Sequence, residues 1–274
     1  MVATLPTIVV RCPRCGSLDA GSVEPVGIEF DRMRCGACGH EQICDVWQIS
    51  MDWTETVAPG RVRSAARTLL PDDRFRAWWA SLGAEGLGAE VLERLREAYD
   101  EPHRAYHTAR HVGACLAVLD EEAVAALPER PAEVEAALWF HDAVYDTHAH
   151  DNEERSAAWA EECLAVAGVD PRVAARIGDH VRATRTHAAA SSDGQLVVDI
   201  DLSILGAEDV VFDRFEEEIR LEYAWVEQAA FAAGRSAVLR RFLDRPAIYA
   251  TALFRERHEA RARANIARAL EALA

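Results

Sequence analysis

The segment Tyr106-His107-Thr108-Ala109-Arg110-His111 opens the stretch that decides the fold, which runs to Asp201. Three further segments follow it: Trp139-Phe140-His141-Asp142, Thr184-Arg185-Thr186-His187 and Asp199-Ile200-Asp201-Leu202. Each carries a histidine or a carboxylate, although the surrounding residues have the apolar pattern of buried helices. Buried charged groups are normally paired or bound to a metal. We therefore expect one metal ion, held by His111, His141, Asp142 and Asp201.

The helical pattern around these segments predicts which side chains point inward. Ala132 to Tyr145 is predicted to form one helix, with His141 on its buried face. A lone buried histidine is more often a core residue with a hydrogen-bond partner. A second helix is predicted to begin near Ala105, which would place His107 and His111 one turn apart on a single face. This combination is harder to explain as ordinary core packing.

A long amphipathic helix is predicted from Val211 to Ala233, where apolar residues recur at helical spacing. Within it, Arg220 and Glu222 have the spacing of an ordinary surface charge pair. The same periodicity extends over residues 71–274, so we expect this part of the chain to be mainly α-helical.

The chain has 274 residues, a net charge of −16 and a sequence pI near 5.1. This length suits one large core with a small additional module. The acidic balance argues against nucleic acid and against an anionic membrane surface as partners, because both attract positively charged surfaces. Every basic side chain is an arginine, so any phosphate group bound by a basic side chain would be bound by arginine.

The cysteines indicate the compartment. The sequence contains seven of them, an odd number, and four form two Cys-x-x-Cys pairs. This usage fits metal binding in a reducing cytoplasm better than a disulfide framework. No apolar segment approaches a membrane span of about 20 residues, and residues 1–10 lack the charged region of a signal peptide. We therefore expect a cytoplasmic protein without a membrane partner.

Residues 6–50 have the pattern of a small β zinc ribbon. The spacing between the cysteine pairs falls in the range of four-cysteine zinc sites, and the residues around Phe30 and Met33 suit short strands. The predicted zinc ligands are Cys12, Cys15, Cys35 and Cys38. Four thiolates leave zinc no position for substrate, so this zinc would be structural. The alternative, two redox-active pairs, would need a thioredoxin-like strand and helix around them.

The ribbon is expected to support folding or to dock a protein partner. Residues 1–50 contain four arginines and six acidic residues, so they offer no basic stripe for nucleic acid. Residues 51–70 follow as a predicted linker, in which Pro59-Gly60 is a turn signal. Residues 71–274 then form the predicted helical domain.

The four expected ligands, in the order His, His-Asp, Asp, resemble the metal-binding pattern of the HD-domain phosphohydrolases. Tyr106 to Val112 also resembles a helix start of the cyclic-nucleotide phosphodiesterases, which are distant relatives. The chain is similar to one branch of predicted HD phosphohydrolases over roughly residues 72–274, which leaves the ribbon outside. Members of this branch often carry Asn after the first histidine, where this chain has Thr108. The segments that carry the similarity are Glu101-Pro102, Arg104-Ala105-Tyr106-His107, Trp139-Phe140-His141-Asp142, Asn152-Glu153-Glu154-Arg155-Ser156-Ala157, Thr184 with His187, Asp199-Ile200-Asp201-Leu202-Ser203-Ile204-Leu205-Gly206 and Ile219-Arg220-Leu221-Glu222-Tyr223.

The resemblance implies an all-helical HD-domain bundle that hydrolyses a phosphoester bond in a small phosphorylated molecule, with nucleotides among the candidates. Its divalent ion would be Mn, Fe, Ni, Zn or Mg, because ligand type alone does not choose among them. The ion would supply hydroxide at neutral pH. His107 would protonate the leaving oxygen, and Asp142 would hold the ion that activates the water.

The same resemblance suggests roles around the ion. Arg104 and Arg220 would grip phosphate oxygens, and His187 would contact phosphate or a second metal. Asp199 would orient a ligand histidine.

Two other interpretations stay open at this point. Some HD-domain proteins hold two irons and oxidise their substrates. That chemistry needs additional histidine ligands, for which His180 and His187 are the obvious candidates. The chain could instead be a non-catalytic binding module that a metal stabilises and whose ribbon docks a partner.

Overall fold

The structure, a computed structural model, describes residues 22–25, 30–34, 37, 41–45 and 70–274. The chain divides into two compact units, Met1–Ala65 and Ala66–Ala274. The four predicted zinc ligands Cys12, Cys15, Cys35 and Cys38 lie outside the described residues, as does nearly all of the predicted linker 51–70. The ribbon zinc site and the predicted domain boundaries therefore stay predictions.

The described part of the first unit contains a three-stranded antiparallel sheet. Its strands, in sheet order, are β1 (Ser22–Pro25), β2 (Phe30–Arg34) and β3 (Glu41–Asp45). Val23 pairs with Met33 across β1 and β2, and Arg32 pairs with Ile43 across β2 and β3. Phe30 and Met33, which the sequence pattern assigns to a strand, both lie in β2.

The second unit is helical, which confirms the predicted mainly α class for residues 70–274. Its helices are α1 (Asp72–Ser81), α2 (Gly88–Tyr99), α3 (Ala109–Asp120), α4 (Glu122–Ala125), α5 (Pro131–Phe140), α6 (Asn152–Val166), α7 (Pro171–Thr186), α8 (Ser192–Asp201), a 3-10 turn (Leu202–Gly206), α9 (Asp209–Glu222), α10 (Gln228–Leu243) and α11 (Ala252–Ala272). Helix α6 packs along α7, and α11 packs against the 3-10 turn.

Several of these helices begin at a side chain that accepts a hydrogen bond from the first turn. The Asp170 carboxylate accepts from the N–H of Arg172, next to Pro171 at the first position of α7. The Ser191 hydroxyl accepts from the N–H of Gly194 and so caps α8. Such caps stabilise a helix by about 1 kcal/mol each, because they satisfy N–H groups that have no partner within the helix.

An aromatic cluster fixes the end of α5, where the His-Asp dipeptide follows. Trp139 and Phe140 are fully buried. Phe75 meets Trp139 edge-on at a centroid distance of 5.1 Å, and Trp78 stacks on Trp139 at 6.0 Å. The hydroxyl of Tyr99 donates to the carbonyl of Trp139 over 3.0 Å. Rings packed at this density leave the residue that follows Phe140 little freedom to move.

Helix α5 ends at Phe140, five residues before the predicted end at Tyr145. The carbonyl groups beyond it are satisfied from elsewhere in the fold. The Arg104 guanidinium donates to the carbonyls of Asp142 and Ala143, at 2.7 and 3.2 Å. These contacts replace the helical hydrogen bonds, so His141 and Asp142 lie at a helix end rather than in the middle of a helix.

The predicted helix from Val211 to Ala233 is two helices, because α9 ends at Glu222 and α10 begins at Gln228. The Arg220 guanidinium donates to the carbonyls of Tyr223 and Val226 and satisfies the chain at the break. The Glu227 carboxylate accepts from two N–H groups of the first turn of α10. The break leaves Glu222 at the end of a helix.

Among the helices of residues 70–274, none is both long enough and apolar enough to cross a membrane.

Candidate metal centre

His111 lies in the first turn of α3 and is buried. Thr108 is the residue before this helix, and its hydroxyl accepts from the N–H of Arg110 over 3.3 Å. A short polar side chain caps the helix at this position, and threonine can do so, as can asparagine. The predicted helix start near Ala105 is thus four residues too early, and His107 precedes the helix instead of sharing a face with His111.

Four ligand atoms from three parts of the chain converge at one point. Nε2 of His111 lies 3.0 Å from Nε2 of His141 and 3.1 Å from Oδ1 of Asp201. Nε2 of His141 lies 3.1 Å from Oδ2 of Asp142 and 3.6 Å from Oδ1 of Asp201. Nε2 of His111 lies 3.7 Å from Oδ2 of Asp142. The structure therefore brings together all four predicted ligands.

These separations fit a shared metal ion. Two ligand atoms that each lie about 2.1 Å from one ion are about 3.0 Å apart at right angles and about 3.4 Å apart in a tetrahedron. The observed distances of 3.0 to 3.7 Å cover that range. Two nitrogens and two oxygens placed this closely need positive charge among them, which either a proton on an imidazole ring or a bound cation can supply.

The charge of the centre is set by its carboxylates together with His111 and His141. Burial alone would raise the pKa of Asp142, but attraction to His141 and His107 outweighs burial and lowers the pKa well below its usual range. Burial lowers the pKa of His111, which favours the neutral ring that a metal ligand must be. Burial opposes a charged His141 ring too, but attraction to Asp142 outweighs burial and raises the pKa of His141 to about 9. Without an ion, this protonated ring offsets the charge of the carboxylates, and a bound ion would have to displace its proton.

The ring of His141 is oriented by the backbone. Its Nδ1 lies 3.0 Å from the carbonyl of Leu138 and donates to that oxygen. This hydrogen bond leaves Nε2 as the atom that faces the centre. A metal-ligating histidine commonly donates its other N–H to a carbonyl in this way.

One buried side chain beside the centre was not predicted. Cys115 follows His111 by one turn of α3, and Sγ lies 3.8 Å from Nε2 of that ring. His111, Cys115 and His141 form a buried group that could hold a metal ion, since their ligand atoms all lie within 4.8 Å of one another. The spacing of His111 and Cys115, four residues on a predicted helix, was the available signal.

His107, the predicted proton donor, lies next to the centre in an unexpected arrangement. Its ring centroid is 6.0 Å from that of His111. Its Nδ1 lies 2.7 Å from Oε2 of Glu222, and its ring stacks on Tyr145 at a centroid distance of 4.2 Å. Burial opposes the charged imidazolium, but attraction to Glu222 and Asp142 outweighs burial and raises the pKa of His107.

The sequence pattern predicted the wrong surroundings for Glu222, which lies beside His107. It is buried rather than part of a surface pair. Oε1 accepts from the N–H groups of residues 105, 106 and 107 at 2.8 to 2.9 Å, and Oε2 accepts from the hydroxyl of Tyr145 at 2.8 Å. Burial alone would raise the pKa of Glu222, yet the charge and hydrogen bonds of His107 lower it to about 2. This carboxylate therefore fixes the backbone of residues 105–107 and, with it, the position of His107.

The two predicted phosphate-binding arginines have other positions. Arg104 is buried, and its guanidinium donates to Glu101 and to the carbonyls of His107, Asp142 and Ala143. All three nitrogens of Arg104 are thus engaged. Arg220 is equally occupied, with hydrogen bonds to the side chain of residue 228 and to two carbonyls at the helix break. Both arginines stabilise the chain around the site, and their predicted contact with phosphate stays a prediction.

The two histidines proposed as additional ligands, His180 and His187, lie in different surroundings. His187 ends α7 in the left-handed conformation, and its ring packs on Phe242 at 5.1 Å. Burial lowers the pKa of His187, while the charges of Asp201 and Asp142 act in the opposite direction. His180 instead lines a different cavity with Asp193. Only His187 remains a candidate for contact with substrate or a second ion.

The sequence suggested that Asp199 orients a ligand histidine, but the structure gives its carboxylate other partners. It is fully buried, and its two oxygens accept from the N–H groups of Ala250 and Thr251, each at 2.7 Å. These contacts hold the chain just before α11. The role of Asp199 is therefore structural, although it lies two residues from a predicted ligand.

We expect Asp199→Asn to weaken folding without emptying the centre. An amide cannot accept from both N–H groups, so one buried donor loses its partner and the free energy of unfolding falls by about 1–3 kcal/mol. Urea denaturation measures the loss, and metal content should not change. Asp201→Asn is the matched control, because it should release metal. Loss of metal in Asp199→Asn would contradict this assignment.

A cavity of about 630 Å³ lies beside the partners of His107. Tyr145 and Glu222 both line it, together with Arg155 and Trp225. Trp225 stacks on His148 at 3.9 Å, and its indole N–H donates to the hydroxyl of Thr147. A space of this volume with aromatic walls is typical of a small-molecule site.

Comparison of the chain with protein-family models, with curated proteins and with solved structures found no match.

Proposed function

We propose that the chain is a metal-dependent hydrolase that cleaves a phosphoester bond in a small phosphorylated molecule, on a helical domain of the HD type. The observation that carries the proposal is the convergence of His111, His141, Asp142 and Asp201 within 3.0 to 3.7 Å, next to a histidine that a buried carboxylate holds. Nothing in ordinary core packing requires that combination.

The four ligands would hold one divalent ion. Such an ion, when bound, lowers the pKa of water and offsets the charge of a phosphate group. The role of Asp142 and Asp201 is to supply the two negative charges that retain the ion. The histidines would supply two nitrogens held in fixed directions, and a catalytic ion would keep at least one position open for water or substrate.

His107 would donate the proton to the leaving oxygen. Its Nδ1 is committed to Glu222, so Nε2 is the atom available to a substrate. The raised pKa of His107 keeps this ring protonated near neutral pH, which a general acid requires. Tyr145 supports the arrangement, because it stacks on the ring and donates to the same carboxylate.

The proposed substrate is small for two reasons. The cavity beside Tyr145 and Glu222, about 630 Å³ in volume, would fit one small molecule next to the partners of His107, although neither His107 nor any of the four ligands lines it. The net charge of −16 disfavours a polymer of phosphates, because such a polymer binds along a positive surface. Nucleotides are among the molecules that fit. A structural zinc in the ribbon and a cytoplasmic protein both stay predictions from the sequence.

A substrate screen tests the proposal. The purified full chain is analysed for metal and then assayed on a panel of phosphomonoesters and phosphodiesters with Mn, Ni, Mg, Zn and Co. We expect release of phosphate or of the alcohol from at least one compound, and loss of this activity with a chelator. No turnover across the panel at full metal occupancy would favour the alternative, a non-catalytic binding module.

Glu222→Gln is expected to move the pH dependence of this hydrolysis. A proton donor works while it is protonated, so kcat/KM falls as pH rises through the pKa of His107. The amide removes the attraction that raises this pKa, and burial then lowers it. The alkaline limb should therefore shift to lower pH by more than about one unit. Asp146→Asn, a change of an exposed carboxylate in the same cavity, is the control. An unchanged limb would contradict the role given to Glu222.

A further inference from the structure

We infer that Cys115 is an additional ligand of the metal centre, and that the centre therefore takes a thiophilic ion such as zinc, cobalt, iron or nickel in preference to magnesium. This inference rests on the proposed metal centre and specifies which class of ion it holds.

The position of Cys115 is the first reason. It follows His111 by four residues on α3, so both side chains project from one face of the helix. Its side chain is buried. The sulfur and the ligand nitrogens of His111 and His141 all lie within 4.8 Å of one another. A thiol is thus placed at the edge of the point where the four predicted ligands converge.

The distances allow a common ion after a small movement. With a metal–sulfur bond of about 2.3 Å and a metal–nitrogen bond of about 2.1 Å, sulfur and nitrogen lie about 3.1 to 3.6 Å apart. Sγ of Cys115 lies 3.8 Å from Nε2 and 3.9 Å from Nδ1 of His111. The sulfur therefore borders the ring almost symmetrically. Ligation requires the Cys115 side chain to rotate toward the Nε2 side when the ion binds.

Ligand chemistry then decides the metal. On binding, the sulfur–metal bond forms, the S–H bond breaks and the proton leaves to solvent. A thiolate is a soft ligand that favours zinc, iron, cobalt and nickel, whereas magnesium prefers oxygen ligands in an octahedron. His111, His141, Asp142 and Asp201 alone would leave all of these ions possible. One sulfur ligand would favour zinc, iron, cobalt or nickel over magnesium at this centre.

Cys163 provides a matched comparison. It is also buried, but it lies on α6 near Trp159 and Arg94. Among the residues that the structure describes, it belongs to no group with metal-ligating spacing. A buried cysteine that only fills space should behave like Cys163 when metal is added.

Cobalt spectroscopy of the full chain tests the inference. The protein is stripped of metal with a chelator and loaded with Co(II), and the near-ultraviolet absorption from sulfur-to-cobalt charge transfer is recorded. The ribbon cysteines contribute equally to each variant and cancel in difference spectra. Wild type minus Cys115→Ala should show the absorption of one thiolate on cobalt, and wild type minus Cys163→Ala should show none.

Metal preference gives a second readout. In Cys115→Ala, the ratio of cobalt to manganese affinity at the centre should fall at least about tenfold, because only cobalt loses a favoured ligand. Manganese binding is followed by the electron paramagnetic resonance signal of the free ion. A circular dichroism spectrum checks that each variant is folded.

The outcomes separate this inference from the proposed function. Asp142→Ala is loaded with cobalt in parallel. If it binds one equivalent less than wild type while Cys115→Ala gives an unchanged spectrum and metal ratio, the sulfur only borders His111 and the inference is overturned. If wild type and Asp142→Ala bind the same amount of cobalt, the metal centre itself is absent and the proposed function fails as well.

Discussion

Asp142→Ala is expected to remove the metal ion of the centre and the phosphoester hydrolysis together. Oδ2 of Asp142 lies 3.1 Å from Nε2 of His141 and 3.7 Å from Nε2 of His111, so it is part of the set that would surround the ion. Its pKa is held well below the usual range, which means that it contributes a full negative charge. Alanine leaves Asp201 as the only carboxylate of the four predicted ligands.

The expected sizes follow from the chemistry of the ion. Disturbing even the support of a metal ligand lowers affinity about 10- to 100-fold, so loss of a charged ligand should cost at least that much. An ion that offsets phosphate charge contributes several kcal/mol, so its loss should lower kcat/KM by roughly a thousandfold. Metal per chain is measured by elemental analysis, and activity is measured on the best substrate of the screen.

Asp146→Ala is the control for this experiment. Asp146 is an exposed carboxylate four residues further along the same loop, and it accepts a hydrogen bond from the N–H of His148. Its replacement should leave the metal of the centre in place. Equal metal content in wild type and Asp142→Ala would show that the four converging side chains do not hold an ion.

The convergence of the four predicted ligands was foreseeable from the sequence because their residue types conflict with their surroundings. His141 and Asp142 follow two fully buried aromatic residues, and Asp201 ends an apolar helix. Carboxylates and imidazoles in such places are costly without a partner. This reasoning depends on composition along the chain, and it holds even though the helix boundaries around His141 and His107 were wrong.

The surroundings of His107 were not predictable in the same way. Glu222 is more than a hundred residues from His107 in sequence, and its spacing from Arg220 has the pattern of an ordinary surface pair. Its role depends on the break after α9, where Arg220 satisfies carbonyl groups beyond the helix. Periodicity does not detect such a break, because the apolar residues continue on both sides of it.

The hydrogen-bond partners of Arg104 were not predictable from the sequence for a related reason. The sequence shows that Arg104 is close to His107, but not that the guanidinium turns inward to carbonyl groups of the segment after α5. Hydrogen bonds between side chains and distant backbone depend on the tertiary fold, which local patterns do not encode. Cys115 is the opposite case. Its four-residue spacing from His111 is visible in the sequence, but the sequence analysis did not count it among the possible metal ligands.

His107→Ala is expected to keep the metal and lose turnover. The ring lies outside the four converging ligand atoms, with its centroid 6.0 Å from that of His111, so the ion should stay bound. The variant loses the protonated nitrogen that would donate a proton to the leaving oxygen. General acid catalysis typically contributes about 100- to 10,000-fold, so kcat should fall by that factor.

Two further measurements make this result specific to proton donation. The loss should be smallest for substrates whose leaving group is a good one, such as a nitrophenolate, because that oxygen needs no proton as the bond breaks. Tyr145→Phe removes a hydrogen bond to Glu222 but keeps the ring that stacks on His107, so it should lower kcat far less. A His107→Ala variant that retains full activity on a poor leaving group would remove His107 from the mechanism, and one that loses its metal would make His107 a support of the centre instead.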